Sequence, residues 1–136
     1  MNLGDFQEIE AIYNLEFDDF WKPQNLKSEL QNVSSKYIVA KENGKIVGFA
    51  GIWYSVDDAH ITNIVVRKSY RNKGIGSLLL EKLIELAKQK TSLTLEVNTK
   101  NEIAQKLYLK YGFKNLGIRK KYYDGIEDAY IMTLYF

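Results

Sequence analysis

Cysteine is absent from this 136-residue chain. That excludes disulfide staples, thiolate metal sites and a cysteine nucleophile. There is one histidine, His60, so the side chains that usually hold zinc are nearly missing and no metal site is expected. Proline occurs once, at Pro23. No apolar run approaches the roughly 20 residues that cross a bilayer, so no membrane partner is expected. The start, Met1 to Asp5, is neither basic nor apolar and carries no signal-peptide pattern, which makes the cytoplasm the expected location. Charge of one sign is also scarce, with a formal net charge of +2. That is too little to suggest nucleic acid. The acids of the early segment (Asp5, Glu8, Glu10, Glu16, Asp18, Asp19) and the bases of a later one (Lys110, Lys114, Arg119, Lys120, Lys121) read as solvated surface.

The chain is 46% hydrophobic, 13% aromatic and 26% charged, which fits a globular domain with a sizeable core. No linker, repeat or low-complexity tract divides it, so residues 1–136 are read as one domain. Phe6, Ile9, Ile12, Tyr13 and Leu15 fall near helical spacing over 5–16, and a short helix is expected after Pro23 with Leu26 and Leu30 on one face. The period then changes. Tyr37–Ala40 and Ile46–Tyr54 flank Asn43-Gly44, a strong hairpin signal. A turn at Asp57-Asp58 leads into a third strand over 59–66. Helix 74–90, strand 93–98 and helix 101–111 follow, the last ending at Gly112, a residue suited to the position past a helix end. A hairpin around Asp124-Gly125 joins strands 113–122 and 129–135. Strand, helix, strand in the middle implies a parallel pair with a crossover helix inside a largely antiparallel sheet. The class is mixed α/β.

The segment Val65 to Gly76 runs from a strand into a helix. Helix-start amides lack internal partners, and the dipole places about half a positive charge there. Gly74 and Gly76 remove side chains that would hold a phosphate off the backbone, while Arg71 and Lys73 add charge. Such a loop suits an anion. It is neither a Walker loop nor the dinucleotide fingerprint. Taken alone it also fits an ordinary turn with solvated basic residues.

The wider pattern, Arg71-Asn72-Lys73-Gly74-Ile75-Gly76 followed by Ser77-Leu78-Leu79-Leu80, resembles the acetyl-CoA pyrophosphate loop of the GNAT superfamily. Nearly the whole chain is similar to that family, and within it to the ribosomal-protein-alanine N-acetyltransferases. Asn63 to Val66, Leu95-Glu96-Val97, the stretch from Asn101 through Leu107-Tyr108 to Tyr111-Gly112-Phe113, and the ending Tyr122 to Ala129 carry the likeness. It implies the GNAT fold, a mainly antiparallel twisted sheet with a central parallel pair flanked by helices. Met1 lies almost at the first helix, so either the family's first edge strand is missing, which is the expectation, or the start is misassigned. The resemblance implies that Ile64, Val65 and Val66 offer main-chain groups to the pantetheine arm and that Arg71, Asn72, Lys73, Gly74, Ile75 and Gly76 hold the pyrophosphate. It makes Glu96 the general base, Tyr108 the general acid and Asn101 a coenzyme-binding asparagine.

These residue types suit acetyl transfer to an amine. An amine attacks a thioester only when unprotonated, and an α-amine has a reference pKa near 8. Thr94, Glu96 and Asn98 share one face of their strand, where partial drying is expected to raise the Glu96 pKa. The strand pattern alone equally fits a solvent-facing Glu96. Tyr108 lies at the edge of a stripe formed by Ala104, Leu107 and Tyr111, a position that also suits packing. Asn101 is equally a helix cap, and His60 reads as an ordinary strand side chain. Aromatic and acidic residues over 17–24 lie where the family places acceptor-side helices. The function implied is transfer of acetyl from acetyl-CoA to a primary amine, foremost a protein N-terminus, by a monomer or homodimer. A small-molecule amine or a lysine is the alternative acceptor, and a non-catalytic acyl-CoA-binding module is the alternative class.

Overall fold

In the computed structural model the described residues are 4, 5, 7–9, 33–123 and 125–136. Strand β1 (Ser35–Glu42) is apolar at its centre, β2 (Lys45–Tyr54) is a nearly continuous apolar run buried on both faces, and β3 (Asp58–Val66) begins with apolar and polar residues in alternation. Asn43 and Gly44 take positive φ of 53° and 79° between the first two, as a tight right-twisted hairpin requires. Helix α1 (Ile75–Ala87) leads to β4 (Ser92–Asn98), helix α2 (Glu102–Lys110) follows, and β5 (Lys114–Tyr123) and β6 (Glu127–Tyr135) close the chain. Among the described residues no strand precedes β1.

The six strands form one sheet in the order β1-β2-β3-β4-β6-β5. All neighbours are antiparallel except β3 and β4, the parallel pair expected around the crossover helix. The final hairpin inserts so that β6, not β5, lies against β4. The residues explain the order. β6 buries Ala129, Met132 and Thr133. β5 is exposed at Leu116, Ile118, Arg119, Lys120 and Lys121, and a charged strand suits an edge.

Leu79, Leu80, Leu83 and Ala87 of α1 pack with Ala50, Ile52, Ile61, Leu93, Leu95 and Met132 into the main core. Ala104, Leu107, Tyr108 and Tyr111 of the α2 region lie against the same cluster. Helix α1 ends at Ala87 rather than continuing to Lys90; the Lys88 N–H turns back to Glu85 O at 3.4 Å. Of the helix expected over 5–16, only Gly4, Asp5 and Gln7–Ile9 are described, and they are helical. Ile9 is fully buried, Glu8 Oε2 accepts the Ile46 N–H at 2.6 Å, and Asp5 pairs with Lys41 at 3.0 Å. The helix expected after Pro23, and the residues 17–24, lie outside the described residues.

Two irregularities position the site. Strands β3 and β4 pair only at Asp58–Ser92, Ala59–Leu93 and His60–Thr94, and then separate. Between β2 and β3 the register passes from Ile52–Ile61 to Gly51–Asn63. Thr62 is therefore an extra residue, a bulge of the kind that re-aims neighbouring side chains.

Candidate active site

The separation of β3 from β4 opens a cleft of about 760 Å³. Ile61–Val66 of β3 form one wall and Leu95–Asn98 of β4 the other. Beyond His60 the β4-side edge of β3 has no strand to pair with, so its backbone groups face the opening, as a chain of amides in an extended ligand would require. The loop before α1 contributes Tyr70, Arg71, Asn72 and Gly74–Ser77, and α2 contributes Ile103, Ala104, Leu107 and Tyr108, with Asn101 just before it.

At the loop end, Gly74 caps α1 in a left-handed conformation, φ 82°, with no side-chain cap hydrogen bond. The first amides of the helix are thus left to the cleft and to whatever anion enters it. Gly74 is needed for its backbone angle as well as its small size, because a non-glycine residue strains there. Asn72 is also left-handed, φ 64°, a conformation asparagine tolerates. Arg71 donates from Nε to Val66 O at 3.1 Å, tying the loop to the end of β3. The predicted loop residues Arg71, Asn72, Gly74, Ile75 and Gly76 line the cleft. Lys73 does not: its Nζ lies 5.2 Å from the centre of the Tyr70 ring, which Arg67 also approaches at 5.4 Å.

Across the cleft, Glu96 is held from two sides. His60 Nε2 donates to Glu96 Oε2 at 2.5 Å, and Arg119 Nη1 donates to Glu96 Oε1 at 3.3 Å. A carboxylate can only accept, which puts the imidazole proton on Nε2. The Glu96 side chain is 10% exposed. The expected rise of its pKa is corrected here. Burial does push it up, and is the largest single influence, but the His60 hydrogen bond and charge together with Arg119 outweigh it and hold the carboxyl below its ordinary range. Glu96 is therefore ionised throughout the neutral range.

Tyr108 lines the same cleft, its ring 5.8 Å from Phe113. Burial pushes its phenol up to about 12, so the proton stays on the hydroxyl. Tyr111 packs against the core at its ring while its hydroxyl donates to Glu81 Oε2 at 2.8 Å. Asn101 is a helix cap, its Oδ1 accepting the Ala104 N–H at 3.1 Å, and the residue also lines the cleft. Ile64, Val65 and Val66 lie along the wall. Sequence reasoning missed His60 and Arg119. His60 alternates with apolar Ala59 and Ile61, which was a signal for the polar face of β3; nothing local to Arg119 marks it.

The acetyltransferase (GNAT) family model matches residues 6–113, and the chain belongs to that family. A Bacillus subtilis protein assigned provisionally as a ribosomal protein bS18-alanine N-acetyltransferase is 40% identical over 133 residues, covering 93% of this chain and 88% of the relative. The crystal structure of the Escherichia coli ribosomal-protein-S18-alanine N-acetyltransferase superposes with TM-score 0.89 at 33% identity, covering 99% of this chain and 90% of that one. A GNAT family acetyltransferase of Elizabethkingia anophelis with acetyl-CoA bound matches with TM-score 0.73 at 27% identity, covering 83% of this chain and 82% of that one. The chain is an acetyl-CoA-dependent acetyltransferase of the GNAT class.

Proposed function

We propose that this enzyme acetylates a protein N-terminal α-amine in the cytoplasm, in the manner of the ribosomal-protein-alanine acetyltransferases it is similar to. The observation that carries the reading is one cleft holding an ionised carboxylate, a protonated phenol and an anion-binding helix start. The cleft fits the coenzyme: the open edge of β3 at Ile64–Val66 matches a pantetheine arm, and the amides of α1 with Arg71 match a diphosphate. Bound there, acetyl-CoA supplies the activated acetyl group. Glu96 takes the proton that leaves the amine as the C–N bond forms, directly or through one water. Tyr108 donates its hydroxyl hydrogen to the departing sulfur as the C–S bond breaks.

The two pKa directions divide the labour. A carboxylate held below its ordinary range is always ready to accept a proton, though less basic than the raised one expected. A phenol near 12 never loses its hydrogen to solvent near neutral pH, but transfers it fully only to a strongly basic thiolate.

The test is a panel of acceptors with mass spectrometry to locate the acetyl group: peptides beginning with alanine, the same peptides with blocked N-termini and free lysines, and polyamines. Acetyl on the free α-amine alone is the expected outcome. Rejection of every peptide with rapid polyamine turnover would move the enzyme to the small-amine class.

A further inference from the structure

Asn63 is the one residue of the cleft whose polar atoms are both buried and unanswered. It is 6% exposed, and among the described residues neither Oδ1 nor Nδ2 has a hydrogen-bond partner. Buried carboxamides are ordinarily satisfied, because desolvation without a partner opposes folding. Asn63 lines the cleft, so a ligand there is placed to satisfy both atoms.

The register shows which part of the cleft it serves. Asn63 pairs with Gly51 and His60 with Trp53 across β2, and Gly51 and Trp53 lie two residues apart, so Asn63 and His60 share a face. His60 reaches Glu96 from that face. The extra residue Thr62 makes this possible, since strict alternation from His60 would send position 63 to the α1 side. The bulge thus puts a carboxamide on the face from which His60 meets Glu96.

A carboxamide offers one acceptor and one donor side by side. The first residue of a peptide offers the complement, an amine N–H and, one carbon away, a carbonyl oxygen. Polyamines and lysine side chains have the amine without that carbonyl. We propose that Asn63 binds the acceptor, Oδ1 receiving an N–H of the α-amine and Nδ2 donating to the first carbonyl, and that it selects α-amines over side-chain and small-molecule amines. This rests on the acceptor reading above and deepens it.

The test crosses two enzymes with two acceptors. Wild type and Asn63→Leu, which keeps the branching and heavy-atom count of the side chain, are assayed with an alanine-leading peptide and with an analogue whose first amide is replaced by a CH2–O link, rates being referred to the unprotonated amine. Wild type should favour the peptide by about 10- to 100-fold in kcat/KM, and Asn63→Leu should shrink that preference by slowing the peptide, which loses both contacts, more than the analogue, which loses only the one to its amine. The KM for acetyl-CoA should not move. Equal peptide rates in the two enzymes, which water-filled amide atoms would give, overturn the assignment; so does a raised KM for acetyl-CoA, which would make Asn63 a coenzyme ligand. If Asn63→Leu does not fold, the wild-type comparison decides alone, and no preference for the carbonyl overturns it. A wild type that acetylates no peptide α-amine fails the acceptor reading and this one together, whereas an active wild type matched by Asn63→Leu fails only this one.

Discussion

His60 Nε2 lies 2.5 Å from Glu96 Oε2, joining two strands whose backbones have already begun to part. The contact sits just past the last paired residues, His60 and Thr94, where the cleft opens. Its electrical effect is to oppose burial: buried Glu96 is kept ionised by an imidazole on one oxygen and a guanidinium on the other.

Removing His60 should therefore raise the Glu96 pKa. In wild type the depressed carboxyl stays ionised through the neutral range, so the acid limb of kcat/KM follows the acceptor amine, whose reference pKa is near 8. In His60→Ala, burial acts with less opposition. The protonated, inactive fraction of Glu96 then grows at acid pH, and activity between about pH 5 and 7 falls further than the amine alone explains. Arg119→Ala should move the limb the same way by less, since its influence on Glu96 ranks below that of His60. A pH–rate series, with a carboxyl NMR titration of Glu96, measures both. Superimposable profiles in wild type and His60→Ala would remove the pair from the mechanism.

Glu96→Gln and Tyr108→Phe separate the two proton transfers proposed for these residues. The first should lower kcat by about 10² or more, with the loss shrinking as pH rises and the acceptor deprotonates unaided. The second removes a hydroxyl and little packing, since the ring still meets Phe113. It should lower kcat by about 10- to 100-fold, with the KM for acetyl-CoA nearly unchanged. Acceptors of lower pKa should recover rate in Glu96→Gln but not in Tyr108→Phe. Near-wild-type kcat in either variant contradicts the role given to that residue.

The elements were legible in the sequence because their signals are local. Asn43-Gly44, the leucine spacing of α1 and the end of α2 at Gly112 each depend on a few neighbouring residues, and the parallel pair follows from strand–helix–strand order. What the sequence withheld depends on where strands part and which edge they seek. Family likeness made Glu96 the expected base, but the direction of its pKa is set by His60, 36 positions away, and by Arg119 on a strand two places across the sheet. The bulge at Thr62 leaves a trace that sequence reasoning missed: the apolar positions step from Ala59 and Ile61 to Ile64 and Val66, with Thr62-Asn63 breaking the alternation. Asn63 could be read as part of a motif, yet its burial without a partner is visible only in three dimensions.

Gly74→Ala tests the anion loop. At φ 82° an added Cβ meets nothing within 4 Å, so the penalty is the left-handed backbone itself, about 1–2 kcal/mol. The loop should relax away from its cradle. The KM for acetyl-CoA should rise several-fold while kcat at saturation changes little. Gly74→Asn should recover much of the loss, because asparagine accepts this conformation, as Asn72 does nearby at φ 64°. Binding of coenzyme A by calorimetry gives the same comparison without turnover, and equal affinity in wild type and Gly74→Ala would contradict the cradle.

Gly51 is where the fold and the proposed selectivity meet. A Cβ there would lie 2.3 Å from Tyr37 Cε1 and 2.5 Å from Thr62 Oγ1, inside any permitted contact. Tyr37 is buried and its hydroxyl is hydrogen-bonded to Thr62 at 3.2 Å, so relief requires moving the bulge residue. Overpacking of this kind costs about 1–3 kcal/mol, which in a chain of this length lowers Tm by about 3–12 °C. The displacement also swings the next residue, Asn63, so Gly51→Ala should raise the acceptor KM more than the KM for acetyl-CoA, even well below its melting temperature. Tyr37→Ala empties the space the methyl needs and frees the Thr62 hydroxyl to rotate. In that background the glycine substitution should cost much less, a coupling that a double-mutant cycle of unfolding free energies measures directly. Additive costs would mean that Tyr37 and Thr62 do not hold the bulge in place.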